Sequence, residues 1–381
     1  MRAGKGIKAQ KTKTLVFAVA TIALSIMLFL GLAEVALRFL PVATGLRTMA
    51  VTQQSPVFRL MQNQDYVYSR DWNFSLANRG RVNNAGFVNA QDYARTGAPL
   101  LAVIGDSYIE ALMVPYARTV HGRTAVALEG NCRVYSFAAS GAPLSQYLIW
   151  SRHAVREFGA QALLINVVGN DFDESHMNYR VSQGFWLYAP QPDGALKLTL
   201  TEYRPGVTRK ATQYSALLRY LSHNLRVQEA VPNLADLAGR WSAWFSSKPA
   251  GVPVFAGNTA AKANEIRIRA SLAAVDAFLN DLPVMTGLPV DRIAFTLDGF
   301  RYPEAVANGA GTYFDRMRRE FAARAEAKGY EVIDLDPFFH AHYRQHRRPF
   351  EFPRDGHWNS TAHGVAADAA LGSRVVRALC P

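Results

Sequence analysis

The first regular feature of the chain is an apolar run over residues 15–33, about 19 positions without a charged side chain. As a helix, that length matches the hydrocarbon core of a bilayer. The sequence that follows, Glu34-Val35-Ala36-Leu37-Arg38, lacks the small-x-small pattern of a cleavage site, so an uncleaved anchor is preferred to a signal peptide or a buried core helix. Residues 34–97 break at Pro41 and run through a polar, aromatic-dotted stretch ending in Asn84-Ala85-Gly86-Phe87; they read as a stalk and lead-in. From Pro99 an alternation begins. Residues 100–104 predict a strand, 107 to about 129 a helix, 134–138 a strand, 144–158 a helix and 162–168 a third strand. These strands are predominantly apolar, with Ser136 and Asn166 as the polar exceptions, as expected when helices cover both faces of a parallel sheet.

The rhythm breaks over residues 173–264, which hold Trp186, Trp241 and Trp244 and predict one helix around residues 214–225. This insertion reads either as a lid or binding wall, or as a structural excursion packed by its aromatics. A helix over 266–280, a strand over 292–297, a helix over 311–328 closed by Gly329, a strand over 331–335 and a last helix over 360–379 complete an α/β domain spanning 98–381. No internal repeat or low-complexity tract interrupts it.

Composition adds little to this picture, and charge adds topology. Hydrophobic residues make up 49% and charged residues 19%, ordinary for a folded body. The net charge of +12 includes Arg2, Lys5, Lys8, Lys11 and Lys13, all within residues 1–14 and ahead of the first acidic residue. Such a basic tail before an apolar span places the N-terminus in the cytoplasm and the body outside, in the periplasm of a bacterium. The remaining positive excess is dispersed and carries no nucleic-acid-binding motif; an anionic polysaccharide or lipid surface fits it better. Cys132 and Cys380 are the two cysteines. One opens the second strand of the alternation and the other ends the last helix, and in an α/β layer strands begin where neighbouring helices finish. A disulfide between them is expected in an oxidising compartment.

The candidate chemistry falls where strands hand over to loops. Ser107 follows the first strand in Gly105-Asp106-Ser107, Gly141 the second in Ala139-Ser140-Gly141-Ala142-Pro143, and Asn170 the third in Gly169-Asn170-Asp171; Asp355 and His357 precede the last helix. In open α/β sheets the carboxyl ends of the strands are where ligands bind. These four blocks, in this order, resemble the SGNH (GDSL-like) hydrolase superfamily over roughly residues 84–379, as a membrane-anchored bacterial member. The resemblance implies a three-layer, flavodoxin-like parallel sheet and chemistry on ester bonds. It also implies Ser107 as nucleophile, His357 as base, Asp355 as its orienting partner, and an oxyanion hole from the Ser107 and Gly141 N–H groups and the Asn170 amide. Two positions depart from the family pattern. Arg354 stands three before the histidine, where the aspartate usually is, and Val168 stands two before the asparagine, where glycine is common. The shorter Asp-x-His spacing resembles that of related polysaccharide O-acetyltransferases; otherwise a backbone carbonyl would orient the ring.

Blander roles are assigned to the neighbours. Asp106 and Asp171 read as structural hydrogen-bonders and His363 as a structural residue in the last helix. The cluster His340, His342, Arg344, His346, Arg347 and Arg348 could bind an anionic substrate or a metal, but reads rather as a solvated basic loop, without zinc spacing. The expected protein is an extracytoplasmic ester hydrolase or O-acyltransferase that needs no metal or cofactor, with an acetyl ester on a carbohydrate as substrate. A lipid ester or thioester is the alternative substrate, a non-catalytic glycan-binding or polysaccharide-assembly component the alternative class.

Overall fold

The computed structural model describes residues 3–206, 213–227, 255, 257–353 and 355–381. Trp241, Trp244 and Arg354 lie outside the described residues. The chain forms two compact units. One gathers the residues up to Gly45, Val67–Ala77 and the described part of 206–245; the other holds Leu46–Tyr66, Asn78–Pro205 and the described residues from 255 onward.

The first unit is built on α1 (Ala3–Leu37), whose segment Lys13–Leu37 is long and apolar enough to cross a membrane. Its apolar side chains Leu15, Phe17, Leu24 and Phe29 are all exposed. At its end the Glu34 carboxylate accepts from the Ser215 hydroxyl (2.8 Å) and the N–H groups of Ala216 (3.0 Å) and Leu217 (2.9 Å), capping a short helix over Ala216–Arg219. The helix expected around residues 214–225 therefore exists in part, continuing as a wider π turn over Tyr220–Asn224.

In the second unit, β1 (Leu100–Gly105), β2 (Arg133–Ala138), β3 (Ala160–Val167), β4 (Ile293–Leu297) and β5 (Glu331–Asp334) make a wholly parallel sheet ordered β2-β1-β3-β4-β5. This is the flavodoxin-like order, with its switch point beside the first strand. Successive side chains point to opposite faces. Leu100, Ala102 and Ile104 join Leu163, Ile165, Phe295 and the helices Leu144–Phe158, Glu265–Thr286 and Tyr313–Ala327. Leu101, Val103, Ala162, Leu164 and Ala294 join the other core, formed with the helices Val120–Ala127, Asp336–His346 and Ser360–Leu371. Because both faces are buried, a strand with alternating polar residues would place half of them in an apolar layer.

Several expected elements take different shapes. The helix anticipated from residue 107 to about 129 is one turn, Ser107–Glu110, ended by Ala111 in the left-handed region (φ 47°). A 3₁₀ turn follows Pro115, and Thr119 restarts the chain as Val120–Ala127 by accepting from Gly122 N–H. The last helix breaks at Gly372 and restarts at Arg374–Leu379 with Ser373 as its cap. The basic loop proves to be mostly helical, since Asp336–His346 is a helix. Within the insertion, Trp186–Pro190 and Leu196–Leu200 pair as an antiparallel hairpin. The lead-in also contributes core: Phe87 and Tyr93 are buried, and the Tyr93 hydroxyl donates to the Ser136 carbonyl at 2.6 Å. Cys132 and Cys380 are joined, with Cα atoms 5.8 Å apart, tying the start of β2 to the C-terminus.

Candidate active site

Ser107, Gly141 and Asn170 follow β1, β2 and β3, which are adjacent in the sheet, so the order β2-β1-β3 sets Ser107 between the two other groups. The turn carrying Ser107 is tight. Asp106 caps it through Tyr108 N–H (2.9 Å), and a Cβ at Gly105 would lie 2.4 Å from Ile109 Cγ1. Glycine at 105 is thus required by the closeness with which the turn folds back on the strand.

His357 reaches this turn from 250 residues away. Its Nε2 is 2.8 Å from Ser107 Oγ. Its Nδ1 is hydrogen-bonded to Asp355 Oδ1, and that oxygen also accepts the His357 backbone N–H at 3.1 Å. Asp355 therefore does reach the ring, despite the shortened spacing. An Asp-x-His segment in extended form places alternate side chains on one side, and here Asp355–Trp358 is a strand paired with Glu351–Phe352. The Asp355 side chain is 5% exposed and that of His357 23%, so the carboxylate is shielded while the imidazole keeps some access to solvent.

Gly141 has φ +76°, a left-handed conformation that favours glycine, and a Cβ there would fall 2.8 Å from Arg180 Nη2. The loop before it is held by Glu110, which accepts from Ser140 N–H (2.8 Å) and from the Ser140 hydroxyl. Burial pushes the Glu110 carboxyl up to about 7, against the hydrogen bonds from Ser140. Burial likewise raises Asp106 to about 6, opposed by Tyr108 N–H. Asn170 is held at both ends of its amide: Oδ1 accepts from Asn258 Nδ2 at 2.6 Å, and Nδ2 donates to Glu174 at 3.0 Å. The Glu174 carboxylate can only accept, which fixes that end as nitrogen, and the second N–H of the amide has no partner among the described residues. Arg180 pairs with Glu174 and offsets its charge beside the site.

The residues that read as structural behave so. Asp171 accepts from Val168 N–H (2.8 Å) and the Tyr147 hydroxyl (2.9 Å), and buried His363 accepts from Val120 N–H (3.3 Å). The sequence reading missed a support beneath the His357 loop. Arg301, fully buried and with φ 63°, donates from Nε to Asp298 (3.1 Å) and from Nη1 to Glu351 (3.0 Å) and the Gly356 carbonyl (2.9 Å). Its Nη2 donates to the Tyr108 hydroxyl (2.9 Å), which itself donates to the same Gly356 carbonyl (3.0 Å). Asp336 accepts the Arg301 backbone N–H, and the Trp358 indole donates to Asp298. No sequence spacing links these positions; the one available signal was the position of Asp298-Gly299-Phe300-Arg301 after an apolar strand. Among the described residues, no group of three or more acidic, histidine or cysteine side chains is placed to hold a metal ion.

No protein-family model matches the sequence, and no curated protein matches it. Solved structures do. An α/β hydrolase from the metagenome of Lake Arreo, Spain, is 14% identical, over 75% of this chain and 99% of that one, with a TM-score of 0.39. A lipolytic protein of the G-D-S-L family from Veillonella parvula is 12% identical, over 73% and 98%, with a TM-score of 0.35. A variant of an acetyl xylan esterase from Geobacillus stearothermophilus is 13% identical, over 73% and 96%, with a TM-score of 0.36. At these values the site has to be read from its own geometry.

Proposed function

We propose that the protein is a serine-dependent ester hydrolase or O-acyltransferase working through an acyl-enzyme. The observation that carries this reading is the continuous chain Ser107 Oγ, His357 Nε2, His357 Nδ1, Asp355 Oδ1. A serine hydroxyl is a weak nucleophile until a base takes its proton as it attacks. His357 accepts that proton as Oγ bonds to the ester carbonyl carbon, and Asp355 holds the ring in the tautomer with Nε2 free and stabilises the imidazolium. The carbonyl oxygen gains the negative charge, which the Ser107 and Gly141 N–H groups and the unspent Asn170 N–H receive. His357 then returns its proton to the leaving alcohol. Water completes hydrolysis of the acyl-serine; a hydroxyl acceptor completes transfer.

The substrate in this reading is an acetyl ester on a carbohydrate outside the cytoplasm. The support for the external location is the basic tail before the apolar helix. The full chain in detergent, given an acetyl ester with and without oligosaccharide, should release acetate or form acetylated sugar. Ser107→Ala should abolish both while leaving the melting temperature nearly unchanged; undiminished turnover in that variant rejects the reading. Protease added to intact spheroplasts should digest the body, and protection of the body would reject the external location.

A further inference from the structure

The basic cluster of residues 340–348 is unused by the chemistry at Ser107, yet its His342, His346 and Arg348 line a cavity. This open cleft has a volume of about 500 Å³. The helix Asp336–His346 supplies His342 and His346, whose rings are 4.4 Å apart, and Arg348 follows just beyond it. Arg118 and Arg123 complete the basic lining. Arg123 lies across Gly364, its Cζ 3.5 Å from where a Cβ would stand, so the glycine leaves room for the guanidinium on the helix Ser360–Leu371.

Asp368 is the one carboxylate among the described lining residues. Three guanidinium groups against it leave a net charge of +2 with both imidazoles neutral, which matches a dianion. The Ser360 and Thr361 hydroxyls add neutral donors, and Val365 is the one apolar side chain among the described lining residues. Buried His342 Nδ1 has no hydrogen-bond partner among the described residues. Burial, then His346 and Arg348, hold the His342 imidazole below its ordinary pKa, with Asp368 opposing; the surroundings are short of negative charge.

We infer that this cleft binds a phosphate monoester. Arginine presents paired donors that fit phosphate oxygens two at a time. The volume exceeds that of a bare phosphate and lies in the range of small-molecule sites, and the polar lining suits a hydroxyl-rich body attached to it. This site does not depend on the reading of Ser107.

The test is calorimetric titration of the full chain in neutral detergent with inorganic phosphate. Saturable binding at one site per chain is expected. Arg123→Gln combined with Arg348→Gln, both exposed positions, should weaken it about tenfold or more. Arg269→Gln, an exposed arginine on the helix Glu265–Thr286, should leave it unchanged, with circular dichroism confirming that all forms are folded. Competition by a hexose phosphate identifies a soluble ester as the ligand; competition by short-chain phosphatidic acid in the micelles, without effect of the hexose phosphate, identifies a lipid headgroup. Absence of saturable phosphate binding, or equal weakening by Arg269→Gln, overturns the inference.

Discussion

The two halves of the catalytic constellation are held in different ways. The Ser107 turn is continuous with a buried central strand and is fixed by short-range contacts: an Asp106 cap, a glycine that makes room, and parallel neighbours on both sides. The Asp355–His357 segment is a two-residue pairing with Glu351–Phe352 outside the main sheet. Its position depends on Arg301, which gathers Asp298, Glu351, Tyr108 and the Gly356 carbonyl from separate stretches of chain. A nucleophile can thus be placed by local geometry, while a base brought in from the far end of the sequence needs a scaffold of long-range polar contacts. Such a buried network fixes a unique arrangement only while every member is satisfied.

The largest expected effect strikes the His357 side of this comparison. Asp355→Asn should lower kcat by roughly 10²–10⁴-fold with little change in melting temperature, because it alters the proton on His357 Nδ1 without emptying the site. An activity loss below about threefold would show that some other group orients the ring. Arg301→Met should cost about 3–5 kcal/mol in denaturant unfolding, since it strands the Asp298 carboxylate in the interior. Arg301→Lys should recover little of that, as an ammonium cannot reach Asp298, Tyr108 and Gly356 together. Stability equal to wild type in both variants would remove the scaffold from the account.

On the Ser107 side the expected effects are smaller. Asn258→Ala frees the Asn170 amide to turn, and should reduce kcat about tenfold with KM nearly unchanged, because the amide acts on the transition state. A change confined to KM would assign Asn258 to substrate binding instead. Glu110→Gln probes burial at the Gly141 loop. With its pKa raised to about 7 from an ordinary 4.5, the folded state holds this proton more tightly than the unfolded chain. The resulting stabilisation is fully present below pH 4.5 and is lost as pH rises through about 7. Wild type should therefore lose on the order of 1 kcal/mol relative to Glu110→Gln between about pH 5 and about pH 8. Parallel melting curves for the two proteins across that range would contradict it.

The same contrast explains what could be read from the sequence. The strands at 100–105, 133–138 and 160–167 were legible because two-sided burial demands largely apolar runs, and the helix Leu144–Phe158 because its apolar face repeats at helical spacing. Ser107, Gly141 and Asn170 were legible as strand-end residues. The single turn at Ser107–Glu110 was hidden because residues 107–129 keep helical spacing across a break made by Ala111 and Pro115. Arg301 was hidden more deeply. A buried arginine is defined by partners at 108, 298, 351 and 356, and nothing in a one-dimensional pattern brings those positions together. Residues 340–346 are solvated on one face, as expected, but helical rather than looped, because charge masked the apolar stripe of Phe339 and Tyr343 that docks their helix.

The central claim is that Ser107 is a nucleophile activated by His357. The most direct measurement is fluorophosphonate labelling of the folded full chain, with mass spectrometry to find the modified residue. A single adduct on Ser107, absent in His357→Ala, is the expected result. No adduct on folded wild type, or an adduct on Ser107 formed equally fast without His357, would contradict it.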